Sequence, residues 1–219
     1  KNAAEVNYNL GFTYKLMGNY DDAIECFESV IEDNPSDVLA YNHLGAIYAL
    51  RKDHQRAVAA YKRGLQIDPN HPVLQLNLAK SFVALHNDSD AAAAYEAALR
   101  AKPGWLDAIR DYTDLLVREH KTKDAAALVK KSILLYPKDV GIQNLLGRIY
   151  LKQFDFPEAV HTFEKARKID DKNTQTLSGL AEAYEKGDKP ADAVNVLKTA
   201  ESAEPENTGI KKQMAHALL

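Results

Sequence analysis

The chain is poor in the residues that staple, cradle or anchor. Its 219 residues include one cysteine, Cys26, one tryptophan, Trp105, and two methionines. A lone cysteine cannot close an intrachain disulfide, and the thiol is most simply a packed small apolar side chain. No apolar run approaches the 18 or more residues that a membrane-crossing helix requires, so direct membrane insertion is not expected. The seven histidines never stand four apart on one predicted helix, which removes the usual helical zinc signature. His86 and His120 are 34 residues apart at predicted turns, but neither has the cysteine or histidine neighbours of a metal site. Neither a phosphate-cradling glycine loop nor a Gly-x-Ser-x-Gly elbow occurs, and Cys26 has no recognisable partner histidine. The residues offer no positive support for an enzyme, a metal or a cofactor. The single sequon, Asn87-Asp88-Ser89, falls in a turn and is a common triplet by chance.

Charge is nearly balanced, with 28 basic and 31 acidic residues and a net of −3, but it is unevenly spread. Residues 4–37 hold eight acidic residues and one basic, whereas 38–71 carry a small basic excess through Arg51, Lys52, Arg56, Lys62 and Arg63. Nucleic-acid binders need a clustered basic surface for phosphate contacts, so no nucleic-acid partner is expected. The chain opens at Lys1 directly into patterned sequence and closes on Leu218-Leu219, as expected of a trimmed chain with more residues at its native ends.

What is present in abundance is repetition. The stretch from Leu39 to Pro69 sets a template of Tyr41, Leu44, Gly45, Tyr48, Ala57, Tyr61, Gly64 and Pro69. Shifting it by 34 residues lands on comparable residues each time, most plainly at Pro35, Pro69, Pro103, Pro137 and Pro205, with only Asp171 out of series. A fixed period of this size marks a stacked-repeat architecture. Six units follow, 4–37, 38–71, 72–105, 106–139, 140–173 and 174–207, then a truncated seventh, 208–219, that reads as a covering helix. We expect one continuous array over 1–219, because each unit of a solenoid buries its apolar stripe against its neighbours.

Within each unit the eighth position is small: Gly11, Gly45, Ala79, Thr113, Gly147 and Ala181. Glycine inside a helix costs about 1 kcal/mol relative to alanine, so its recurrence calls for a packing reason, and close helix approach supplies one. The twentieth position is always alanine, four residues before a larger side chain such as Phe27, Tyr61, Tyr95 or Phe163. We expect small to meet large across each helix pair. Acidic residues such as Asp21, Asp22, Asp90, Asp124, Glu158 and Asp192 open the second helices, where they complement the helix dipole. The period prolines end those helices. In the turns, Tyr20 and Phe156 are expected to pack, and Trp105 either packs partly against the next pair or remains an exposed contact residue.

This set of positions resembles the tetratricopeptide repeat family over residues 4–219, with unit 4 the poorest match through Tyr112, Thr113, Leu116, Val129 and Ser132. The resemblance implies an all-α protein: a right-handed α-solenoid of about six antiparallel helix pairs plus a C-terminal capping helix, its inner surface lined by the first helix of each pair. It also implies a non-catalytic module that binds a peptide or helix of a partner protein in the concave groove. A self-associating scaffold, with possible homo-oligomers, and the repeat arm of a larger enzyme such as a glycosyltransferase are the alternatives.

On that phasing the groove residues are Tyr8, Asn9, Phe12, Asn42, His43, Leu76, Asn77, Lys80, Arg110 and Asp111. The sixth position gives a polar ladder, Asn9, His43, Asn77 and Asp111, which stops at Leu145. Asparagine offers a donor and an acceptor at once, so stacked asparagines can hold an extended peptide by its backbone. The ladder is similar to one in the repeat region of O-linked N-acetylglucosamine transferases. Polar side chains in a wet channel are the alternative reading. Around the ladder, Leu16, Leu39, Ala46, Leu50, Val73 and Val83 make units 1–3 apolar, either as a ligand groove or as surface covered by another segment or copy. Units 4–6 instead offer Asp107, Asp114, Arg118, Arg148, Lys152, Glu182 and Lys186. The carboxylate clamp by which some family members grip chaperone tails is absent, since Tyr8, Phe12, His43, Val73 and Asn77 stand at its positions.

Overall fold

The computed structural model describes residues 2–218, and the side chains of 4–218. Among these residues there are thirteen α-helices and no strand. They form six pairs: α1 (Asn2–Met17) with α2 (Tyr20–Asp33), α3 (Val38–Leu50) with α4 (His54–Ile67), α5 (Pro72–Ala84) with α6 (Asp88–Ala101), α7 (Leu106–Arg118) with α8 (Thr122–Leu135), α9 (Val140–Lys152) with α10 (Phe156–Ile169), and α11 (Thr174–Lys186) with α12 (Pro190–Ala203). A last helix, α13 (Thr208–Ala217), packs on α12, while Leu219 lies outside the described residues. The period survives into the backbone, since from α3 onward every first helix begins 34 residues after the last one, and every second helix does so from α2. No helix among the described residues is long and apolar enough to cross a membrane.

Two compact bodies divide within α7, residues 1–115 and 116–219. In each, neighbouring helices pack in sequence order, as α1 on α2, α2 on α3 and α3 on α4 do in the first body, and α9 on α10 and α10 on α11 in the second. The alanines of the twentieth position, from Ala23 to Ala193, are fully buried in all six pairs. Where the eighth position of the first helix is glycine, the ring four residues after the alanine lies against it. A Cβ built on Gly45 would lie 2.5 Å from the Tyr61 ring, and one on Gly147 would lie 2.6 Å from that of Phe163. In units 1, 2 and 5 the eighth-position glycine is therefore a small partner that meets the ring across the pair, as Gly11 does with Phe27.

Every turn inside a pair closes in the same way. Asn19, Asp53, Asn87, Lys121, Asp155 and Lys189 each donate the backbone N–H to the carbonyl five residues earlier, at 2.8–3.0 Å. The residue just before each donor takes a left-handed conformation: Gly18, Lys52, His86, His120, Phe154 and Asp188 have φ of 57–80°. This is the Schellman ending of a helix, which favours glycine because a Cβ strains the left-handed conformation. Only the first turn uses glycine. A methyl group added to Gly18 would meet nothing within 4 Å, so Gly18→Ala isolates the backbone cost and should lower stability by about 1 kcal/mol. Phe154→Gly relieves the same strain at a side chain that is largely exposed and should raise stability by up to about 1 kcal/mol. Equal shifts of the urea midpoint in one direction would contradict the assignment.

The links between pairs are capped at a second fixed point. Asp37, His71, Asp139, Asn173 and Asn207 each precede a first helix and accept a hydrogen bond from a backbone N–H within its first turn. Such caps stabilise a helix by about 0.5–2 kcal/mol. At the third link, between α6 and α7, Trp105 takes this position, half-buried, with the Lys102 ammonium 4.6 Å from its ring centroid.

Candidate functional site

The first helices of the first body, α1, α3, α5 and α7, stand side by side and are linked by their fifth-, sixth- and ninth-position side chains. Tyr8 and His43 share a hydrogen bond of 2.9 Å between the phenol oxygen and Nε2. Asn77 donates from Nδ2 to Asn42 Oδ1 at 3.0 Å. Lys80 Nζ lies 3.1 Å from Asp111 Oδ2. Three of the four ladder residues thus already have partners on the preceding first helix, while Asn9 is exposed. The same step recurs in the second body, where Ser178 donates to Gln213 Oε1 at 2.6 Å. The fifth position of one unit faces the sixth of the next. This arrangement leaves an asparagine pair with unused capacity, because each amide has a further N–H and Asn77 keeps its carbonyl.

The sequence does not reveal that step, because a period of 34 fixes which residues are equivalent but not which equivalents touch. Leu76 shows the consequence. Expected in the groove, it is only 4% exposed. At the fifth position an apolar side chain turns into the seam between first helices, so Leu76 belongs to the core and offers nothing to a ligand. Arg110, at the same position of unit 4, is exposed.

His43 lies at the centre of an aromatic cluster. Its ring stacks on Phe27 at 5.0 Å and 15° and meets Tyr8 and Phe12 edge-on at 5.4 and 5.8 Å. Nδ1 is buried without a hydrogen-bond partner among the described residues. A second N–H on that ring would point into apolar surroundings, so burial, helped by the Lys15 ammonium and opposed by Asp37, pushes the His43 pKa below its usual value. Burial likewise raises that of the Tyr8 phenol, with Asp37 adding to it. For His43 the sign follows directly. The unfolded chain takes up the proton near pH 6.5, while the folded one resists it to lower pH. The stabilisation is thus complete above about pH 6.5 and is lost as pH falls through the lower folded value. Thermal unfolding of the wild type should weaken more between pH 7.5 and 5 than that of His43→Gln. Parallel curves would show that the histidine does not titrate in this way.

Beyond the cluster, the surface of α1, α3 and α5 is apolar and open. Phe12 is 42% exposed, Leu16 72%, Leu39 50%, Leu50 54% and Val73 37%. The corresponding surface in the second body is polar. Arg148, Lys152, Gln175, Ser178, Glu182 and Lys186 line a cleft of about 370 Å³, with Lys186 paired to Glu182 at 2.8 Å. Among the described residues no group of three or more His, Cys, Asp or Glu side chains could hold a metal ion.

Helix pairs of one period, glycine-to-ring contacts and capped links are the signature of a single repeat type, and comparison with known proteins names it. Two tetratricopeptide repeat models match, one over residues 15–72 and 114–174, the other over 48–111 and 150–219. The chain belongs to the tetratricopeptide repeat family. No curated protein matches it at a significant level. Among solved structures, the C-terminal part of a tetratricopeptide repeat protein from Cytophaga hutchinsonii superposes with a TM-score of 0.80 at 16% identity, covering 96% of this chain and 84% of that one. PilW, a widely conserved type IV pilus biogenesis factor, gives 0.71 at 16% identity over the whole of both chains. YrrB, a tetratricopeptide repeat protein with an unusual peptide-binding site, gives 0.67 at 21% identity, covering 89% of this chain and 98% of that one. At these identities the likeness is one of fold.

Proposed function

We propose that the chain is a non-catalytic protein-interaction module that takes an apolar peptide or helix of a partner protein onto the first helices of units 1–3. The observation that carries this reading is the open apolar surface of Phe12, Leu16, Leu39, Leu50 and Val73 beside the aromatic cluster of His43. Contiguous exposed apolar surface of this kind marks interaction sites. Asn9, the Asn42–Asn77 pair, Lys80, Asp111 and Arg110 then form a polar flank with spare donors and acceptors for a peptide main chain. The fold of YrrB, a protein with a peptide-binding site, supports the reading by analogy.

The experiment is capture of a partner from native extract by a photocrosslinker placed at Leu50, followed by titration of the recovered partner. Phe12→Ala should weaken binding about ten-fold, the effect of removing an anchoring side chain worth slightly more than 1 kcal/mol, while Lys165→Ala should leave it unchanged. A partner indifferent to Phe12→Ala but lost when Asp21, Asp22 and Glu25 are neutralised would move the site to the outer helices.

A further inference from the structure

The second body holds another cleft, of about 420 Å³, between α8, α9 and α10. Two of the side chains that line it are polar and nearly buried: Gln143 on α9, 6% exposed, and Thr162 on α10, 3% exposed. Neither side chain has a hydrogen-bond partner among the described residues, and the little surface each keeps borders the cleft. Buried polar groups are ordinarily paired. Asn144, the neighbour of Gln143, follows that rule by bonding to Asn173 and Thr176.

The repeat shows that the fold needs no polar group at these two places. The fourth position of a unit, held here by Gln143, is Ile109 in unit 4 and Leu177 in unit 6, both buried. The twenty-third, held by Thr162, is Ala60, Ala94 and Val196 in units 2, 3 and 6, again buried. In unit 1 a polar fourth-position residue is satisfied within its own pair, since Asn7 Nδ2 donates to Ser29 Oγ at 3.0 Å. Lys165 stands where Ser29 does, and an ammonium accepts nothing from an amide. Unit 5 thus buries an amide and a hydroxyl where apolar side chains serve its neighbours. Stranded polar groups cost stability, and such departures from the pattern of a fold belong to functional sites.

The charges around the two groups select the ligand. His161 and Lys165, one helical turn apart on α10, line the same cleft. Lys165 has no ion-pair partner among the described residues. Glu158 is the carboxylate on the lining, and Lys130 offsets it. The Lys130 ammonium lies 5.3 Å from the Tyr150 ring centroid. A hydrogen bond to the Tyr150 hydroxyl and, less strongly, Glu158 and Asp155 raise its pKa. What remains is a set of donors: the Gln143 amide, the Thr162 hydroxyl, the His161 ring N–H and the Lys165 ammonium. Such a set suits the oxygens of an anion. Ile133 and Leu146 add apolar wall.

We propose that the cleft between α8, α9 and α10 binds a small organic anion, its phosphate or carboxylate group held by Gln143, Thr162, His161 and Lys165 and its carbon body by Ile133 and Leu146. This site is separate from the groove of units 1–3 and stands whether or not the groove reading holds.

The probes are phenyl phosphate, benzoate and neutral benzyl alcohol, titrated into the isotope-labelled full chain and followed by NMR at the Gln143 side-chain amide. Phenyl phosphate or benzoate should bind saturably and shift that resonance, the tighter of the two identifying the head group, and benzyl alcohol should not bind. Gln143→Leu and Thr162→Val borrow the residues of unit 6, so both variants should be at least as stable as the wild type in urea. Each should nevertheless weaken the anion about ten-fold, the effect of losing one hydrogen bond to a charged group. Lys165→Gln should weaken it by a similar factor, and Lys198→Ala on α12 should not. No saturable binding of either anion, or binding indifferent to Gln143→Leu and Thr162→Val, overturns the proposal. So does a marked loss of stability in both variants, which would make the two side chains part of the core. Inorganic phosphate binding as tightly as phenyl phosphate would mean an adventitious ion only and overturn it as well.

Discussion

Phe163→Ala should destabilise the second body by about 3–5 kcal/mol, the range for removing a buried phenylalanine. The ring is fully buried and held from two sides. A Cβ on Gly147, in its own pair, would lie 2.6 Å from Cζ, and one on Gly179, in the next pair, 2.5 Å from the same atom. The ring therefore fills the space of two missing side chains, and its loss opens a cavity that rigid helix backbones cannot close. Gly147→Ala provides the sharper measurement. In the wild type the added methyl meets the ring, and overpacking costs of about 1–3 kcal/mol outweigh or cancel the gain of about 1 kcal/mol in helix propensity. In the Phe163→Ala background the clash is gone, and the same change should stabilise by about 1 kcal/mol. Urea denaturation of the four proteins measures this coupling directly. The same effect of Gly147→Ala in both backgrounds would show that the ring does not occupy that space.

The glycines and the ring were both legible in the sequence as members of a 34-residue period, and the helix starts follow that period without a slip from α2 onward. Their pairing was not, because periodicity ranks residues by equivalence and says nothing of which face of which neighbour they meet. The same gap explains the ladder. Asn9, His43, Asn77 and Asp111 stand out in sequence as one polar row, but the structure adds the fifth- and ninth-position residues, Tyr8, Asn42 and Lys80, that engage three of them. Leu76 was misplaced for that reason, being on the seam instead of the open surface. The turns were legible only in part. Gly18-Asn19 reads as a turn, but Phe154 and His120 do not advertise the left-handed conformation they adopt. There the helix pair imposes a conformation against local preference, because the neighbouring helices hold the ends of the turn in place.

Position 34 of the repeat, which caps α3, α5, α9, α11 and α13, carries the second large effect. Asn173→Ala should cost about 2–4 kcal/mol, the sum of a lost cap and a stranded buried amide. Asn173 Oδ1 accepts from the Thr176 backbone N–H at 3.0 Å, from Thr176 Oγ1 at 3.1 Å and from Asn144 Nδ2 at 3.4 Å. Asn144 is nearly fully buried on α9, so its amide has no water to turn to when that oxygen is removed. Thr176 is buried as well, and its hydroxyl also reaches Asn144 Oδ1 at 2.9 Å, which joins the cap of α11 to the interior of α9. Asn207 caps α13 through Gly209 and Ile210 with no buried side chain depending on it. Asn207→Ala should therefore cost only about 1 kcal/mol, the cap alone. Asn173→Asp separates the two contributions, because every one of those three bonds uses residue 173 as an acceptor, and Asp37 and Asp139 already fill the same position in other units. It should retain most of the wild-type stability. Were the aspartate variant as unstable as the alanine variant in urea, the loss would lie in the donor side of the amide, and the acceptor network joining α9 to α11 would not be what holds this pair of helices together.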